Sequence, residues 1–364
     1  MRKLYNYIDL DSMYKFADKD DATALLAIVA KTDDTYELAE VARNQAADAA
    51  VLSAIVAKTD DFAVLGYVAE NKAADTAILL AIVAKTGSPY VLGEVAKHQA
   101  ADATVLSAIV AKTDDSWVLQ NVAQNKATDA TILSAIRQKL SAIVAKTDDL
   151  KVLRYVAQNK AADAAVLSAI VAKTDDVQAL LYVAQNKAAD AAVLSAIVAK
   201  TYHPGVLRKV VQNEAADATI LSAVVAETYD TVVLEDVAKN KAADSAVLSA
   251  IVAKTDSPYV LGEVAKNKAA DATILSAIRQ KLPAIVANPD NSYALRNVAE
   301  NKAADSTVLS AILAKTTEPE LIKLINNKLS SMASIKSEAS VNTKINNIHN
   351  KAIKYYLMAK YASY

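Results

Sequence analysis

The chain has 364 residues, with 40 Lys and Arg against 41 Asp and Glu, and no cysteine. That near-neutral balance does not suit a dedicated nucleic-acid binder, and the lack of thiols excludes disulfides, zinc fingers and cysteine nucleophiles. Only five glycines and six prolines interrupt a composition dominated by helix-tolerant residues.

In chain order, residues 1–20 lack the continuous apolar stretch of a signal peptide and are expected to form an N-terminal cap. No window approaches the roughly 18 uninterrupted apolar residues of a membrane span. From residue 21 an Asp recurs as a ruler: Asp21, Asp48, Asp75, Asp102, Asp129, Asp163, Asp190, Asp217, Asp244, Asp271 and Asp305. The spacing is 27 residues eight times and 34 twice, so two units carry one extra heptad. A period of 20–50 residues marks a solenoid or similar array.

Each unit divides into two helices. "DAAVLSAIVAKT", from Asp163, sets an N-cap acid before Val166, Leu167, Ile170 and Val171, an apolar stripe at helical spacing. This is helix B. "DDLKVLRYVAQN" carries the same spacing in Val152, Leu153, Val156 and Ala157, and is helix A. Pro89, Pro204, Pro258 and Pro319 stand in one register at its start, where proline suits the first helical position. Helix A should run about ten residues and end at Asn159 or its equivalents, where a left-handed cap is expected. The extra heptads, in "LSAIRQKLSAIVAK" and "LSAIRQKLPAIVAN", keep the stripe in phase. The first should lengthen helix B, and Pro283 should kink or split the second. The organisation expected is a cap at 1–20, a helical solenoid over 21–327, and a helical cap or tail at 328–364.

The pattern "VAxNxxxxxxVL", with Asp-rich turns before a further "VLxxVA", resembles the leucine-rich repeat variant family over roughly residues 20–325. The resemblance implies a HEAT-like, right-handed α-solenoid with a binding role and no catalytic residues. The period here is longer, the prolines that follow the family's Asn are Lys or Gln, and the iron–sulfur module of some relatives has no cysteines to build it. The fold class expected is therefore all-α, a right-handed superhelix of about eleven two-helix repeats.

Comparison of the units with one another shows helix B almost unchanged. Helix A keeps its third, fourth, seventh and eighth positions apolar and varies at the first, second, fifth, sixth and ninth, which are expected to share one outward face. That face is rich in interface-forming residues: Tyr36, Tyr67, Tyr90, Trp117, Arg154, Tyr155, Tyr182, Arg208, Tyr259 and Tyr293. The bland alternative is that the aromatics pack on the neighbouring unit's helix A.

The Asp-Asp pairs, such as Asp175 and Asp176, lack calcium-loop spacing and sit where N-caps belong. His98, His203 and His349 are scattered, and no GxxxxGK, GxGxxG, HExxH or GxSxG occurs. The expectation is a non-enzymatic scaffold, without metal or cofactor, that binds a protein partner through the helix A face. The alternatives are a modular single-stranded nucleic-acid binder and a structural spacer or self-assembling array. Arg154, Arg208 and Lys209 favour the former, and Glu40, Glu94, Asp236 and Glu263 oppose it. The lysine-rich tail raises weak contact with an acidic membrane as a further option. The location expected is cytoplasmic, or that of an exported effector.

Overall fold

The computed structural model describes residues 21–287, 292–334, 349–351 and 353. The expected cap at 1–20 lies outside them, as does most of the tail. The chain divides into two compact units, Met1–Ala215 and Ala216–Tyr364, and each is an all-α solenoid of tandem helix pairs. No strand occurs among the described residues. No helix among them is long and apolar enough to cross a membrane.

In the first unit the B helices are Ala22–Lys31, Ala49–Lys58, Thr76–Lys85, Ala103–Lys112, Ala130–Lys146, Ala164–Lys173 and Ala191–Val198. The A helices between and after them are Thr35–Arg43, Phe62–Glu70, Pro89–Lys97, Ser116–Gln124, Leu150–Gln158, Val177–Gln185 and Pro204–Gln212. The second unit continues with B helices Ala218–Glu227, Ser245–Lys254, Ala272–Ala287 and Ser306–Leu313. Its A helices are Thr231–Lys239, Pro258–Lys266 and Ser292–Glu300, and a helix at 319–334 follows. Within each unit A stacks on A, B stacks on B, and the two layers meet along the core.

The core is the twofold apolar stripe of each repeat, exemplified by Val64, Leu65, Val68 and Ala69 facing Ile78, Leu79, Ile82 and Val83, all buried. Full burial of each Val, Leu or Ile contributes roughly 1.5–3 kcal/mol, which carries nine- and ten-residue helices that would not persist alone. Every ruler Asp of the described repeats caps a B helix; the Asp163 carboxylate, for example, accepts from the Val166 N–H at 3.0 Å. Of each Asp-Asp pair, only the second caps helix A, as when Asp61 accepts from Ala63 and Val64. The first Asp instead meets a lysine of the next B helix or its end, as in Asp33–Lys58, Asp60–Lys85, Asp148–Lys173 and Asp175–Lys200; in the long B helices the lysine is an internal one, Lys139 for Asp114 and Lys281 for Asp256, an Asp in the same position before Ser257. All of these lysines except Lys139 also donate to carbonyls at the C-terminal end of the preceding B helix, Lys58 to Thr32 at 2.7 Å, where the helix dipole favours a cation.

Two expectations change. The A helices run nine residues, not about ten. The asparagine that ends each is extended rather than left-handed, with φ −71 and ψ 124 at Asn159, and no described residue has positive φ. Of the two outcomes expected at Pro283, splitting does not occur, since the helix Ala272–Ala287 carries that proline inside it. At the C-terminal side, the helix at 319–334 includes residues 327 and 328.

The extended asparagine does other work. Its Oδ1 accepts the N–H two residues on, and its Nδ2 reaches back to the previous repeat. Asn71 donates to the carbonyls of Ala42 (2.8 Å) and Asn44 (3.1 Å), and Asn125, Asn186, Asn213 and Asn267 repeat the contact. His98 fills one rung: its Nδ1 accepts from the Ala100 N–H, so its Nε2 carries the proton and donates to the Asn71 carbonyl at 3.1 Å. Lys328 fills another, donating to Ala299 and Asn301, and burial there pulls its pKa below the usual lysine range.

The two long units break this ladder. Seven extra residues carry the chain about 10 Å further along helix B before it turns back. The following A helix then slips on its predecessor. Asn301 donates to the Leu261 carbonyl at 3.1 Å, one turn before the rung that the repeat predicts. At the first long unit Tyr155 lies beside Trp117, again four residues before its repeat equivalent, Asn121. There Asn159 is wholly buried and its Nδ2 has no partner, and the Nδ2 of buried Asn121 has none either.

Candidate protein-binding face

The five variable positions of helix A do not form one free face. Side-by-side stacking places the fifth position between consecutive A helices, so Ala39, Gly66, Gly93, Gln120 and Gly262 are buried. The second-position ring of the next repeat lies over this small residue. A Cβ added to Gly66 would stand 2.6 Å from the Tyr90 ring, and one added to Gly93 would stand 2.1 Å from the Trp117 ring. Glycine is required there by close approach and not by backbone angle.

The aromatic and arginine side chains are accordingly held by neighbours. Arg43 stacks on Tyr67 at 3.7 Å from the ring centroid, and Lys97 lies 4.8 Å from that of Trp117. The Tyr90 hydroxyl donates to the Glu70 carboxylate at 2.9 Å, which pushes the phenol up to about 12. Arg154 grips Asp176, the next N-cap, with two bonds of 2.9 and 2.7 Å. That pair, together with backbone N–H donors, holds the Asp176 carboxyl below the ordinary aspartate range. Arg208 and Tyr259 are also engaged within the chain. Tyr36 stands out, 74% exposed. The side chain of Tyr293 lies outside the described residues.

Of the ten residues expected on this face, the structure gathers Tyr90, Trp117 and Tyr155. With Pro89, Asp115, Ser116, Lys151 and Val152 they line a cleft of about 350 Å³. The slip builds it, because in the ordinary register Tyr155 would lie one turn away from Trp117. Tyr182 faces a second cleft on the other side of helix Leu150–Gln158, whereas Tyr36 and Tyr67 belong to earlier repeats. Two exposed aromatics were missed by reading helix A alone: Tyr202 and Tyr229, 74% and 77% exposed, in the loops entering it. They occupy the first-Asp position of the pairs, a substitution visible on internal alignment. Lys254, which would otherwise meet that acid, lies 4.4 Å from the Tyr229 ring centroid.

Fold and face together define a tandem helix-pair repeat protein, constant in its B layer and individual in its A layer. Compared with known proteins, the chain matches no family model and no curated sequence.

Proposed function

We propose that the chain is a non-enzymatic scaffold that binds a protein partner through its A-helix layer, and that it is related in design to the leucine-rich repeat variant and HEAT-like solenoids. The observation that carries this is the Tyr90–Trp117–Tyr155 cleft. Aromatic rings that are both part-exposed and fixed by neighbours anchor an interface with little further loss of side-chain freedom. Glu70 bonded to Tyr90, Glu94 beside Trp117's repeat neighbour Lys97, and Asp115 in the cleft wall repel phosphates, which disfavours nucleic acid as the occupant.

The test is capture by the full chain compared with a Tyr90→Ala, Tyr155→Ala variant whose melting curve matches the wild type. A partner retained by the wild type should weaken by roughly 1–3 kcal/mol per anchor. Equal capture by both proteins, or binding that moderate salt abolishes irrespective of the tyrosines, overturns the reading.

A further inference from the structure

We propose that the slipped junction at the first long unit holds a second, distinct site, one that takes an extended acidic peptide segment. The inference rests on the protein-binding reading and specifies the chemistry of one partner segment. The site is a cleft of about 700 Å³ that spans three A helices, Ser116–Gln124, Leu150–Gln158 and Val177–Gln185, and the loops after them. Its side-chain hydrogen-bonding groups are Gln120, Gln124, Gln158, Gln185, Tyr182, the two loop lysines Lys160 and Lys187, and Asn186, whose amide is already bonded to the Ala157 and Asn159 carbonyls.

Three observations point the same way. First, the lining contains no carboxylate. Three other clefts along this edge each contain one or more: Glu70 beside Tyr67, Glu70 and Glu94 beside His98, and Glu214 beside Lys209. Lys160 and Lys187 face this cleft, and neither makes an ion pair among the described residues, although Lys187 also lines the adjoining cleft that holds Glu214. Second, the side chains of Gln120, Gln124 and Gln185 make no hydrogen bond among the described residues. A primary amide offers a donor and an acceptor side by side, which matches a peptide unit's C=O and N–H. Third, the residues that flank buried Asn159, namely Gln158 and Lys160, form the wall, as does Gln120 beside buried Asn121. The orientation of Asn159 is set, because its Oδ1 accepts from Ala161 at 2.9 Å, leaving its Nδ2 as a donor without an acceptor. Asn159 and Asn121 are themselves buried behind this wall, and what the cleft presents is the positive charge of its lysines and the donor–acceptor amides of its glutamines. A ligand with an extended backbone and acidic side chains complements both.

The test uses the full chain, with selectively ¹⁵N-labelled Asn and Gln side-chain amides, and an alternating Gly-Glu octapeptide as probe. The peptide should shift the amide signals of Gln120, Gln158 and Gln185. Lys160→Glu with Lys187→Glu should weaken it at least tenfold and transfer the preference to a Gly-Lys octapeptide. Gln158→Leu with Gln185→Leu should weaken the peptide without that transfer, and melting curves should show all variants folded. Equal response to the Gly-Glu and Gly-Lys peptides, no response at these amides, or preferential binding of an oligo-dT probe overturns the inference. Its failure is separable from that of the broader reading, since capture that depends on Tyr90 and Tyr155 would persist.

Discussion

The side-chain amide of Asn186 donates to the carbonyl oxygen of Asn159 across 3.1 Å, while the amide of Asn159 donates to nothing. One residue type at one repeat position is thus bonded in the first case and orphaned in the second. Removing a bonded amide leaves the Ala157 and Asn159 carbonyls short of a donor, at a cost of roughly 1–3 kcal/mol. Asn186→Ser should therefore destabilise by that amount in urea unfolding. Asn159→Ser should lose about 1 kcal/mol less, since serine still accepts from the N–H two residues on. Equal losses at the two positions would remove the ladder account.

Close approach of ring to backbone makes Gly93 a sensitive position. An alanine Cβ there meets the Trp117 ring, and overpacking costs about 1–3 kcal/mol against the roughly 1 kcal/mol gained from helix propensity. Gly93→Ala should be neutral to moderately destabilising and should push the indole outward. Trp117 is the one tryptophan of the sequence, so a red shift in emission reads that movement directly. An unchanged spectrum with raised stability would contradict the packing described.

Much of this architecture was legible in the sequence. The ruler Asp residues, the N1 prolines and the paired apolar stripes are local signals, and each marks a helix end or a buried face without reference to the rest of the chain. The Asn ladder was not legible as a ladder, because Asn reads equally well as a left-handed cap. The clue lay in its substitutes: His98 and Lys328 share with Asn a side-chain donor, and lysine does not share its tolerance of a left-handed backbone. The helix A face was legible as variable but not as divided. Whether a flank position meets water or the next helix depends on the stacking register, and the heptads alter that register at a distance. The meeting of Tyr155 with Trp117, 38 positions apart, follows from a shift that periodicity alone leaves undetermined.

Titration tests the Tyr90–Glu70 bond. The unfolded chain releases a tyrosine proton near 10, whereas folded Tyr90 keeps its proton to about 12. A raised folded pKa means that its stabilisation is full below about 10 and is lost as pH rises from there to about 12. Ultraviolet difference titration of wild type against Tyr90→Phe should isolate a phenol ionising at the top of that window. Glu70→Ala should return it towards the ordinary range. A Tyr90 that ionises with the bulk of the tyrosines in the folded protein would show the bond to be absent in solution.

Deleting residues 137–143 separates the architecture from the binding proposal. The deletion shortens helix Ala130–Lys146 to "ATILSAIVAK", the ordinary helix B sequence, and restores the 27-residue period around it. Buried Leu140 is lost, at roughly 1.5–3 kcal/mol, along with an exposed share of the helix, while Val144 takes the buried position that Val110 holds in an ordinary repeat. Against this, Asn159 regains the rung towards Ala123 and Asn125, and Gln120 and Asn121 return to the ordinary flank. The shortened chain should fold and melt cooperatively with a net loss of a few kcal/mol at most. Tyr155 would move back beside Asn121, away from Trp117 and Tyr90, so the aromatic cleft would disappear and capture of a protein partner through it should fail. A shortened chain that folds and still captures the partner in a Tyr90- and Tyr155-dependent way would show that the slip does not build the site. A shortened chain that cannot fold would show that the heptad serves stability first.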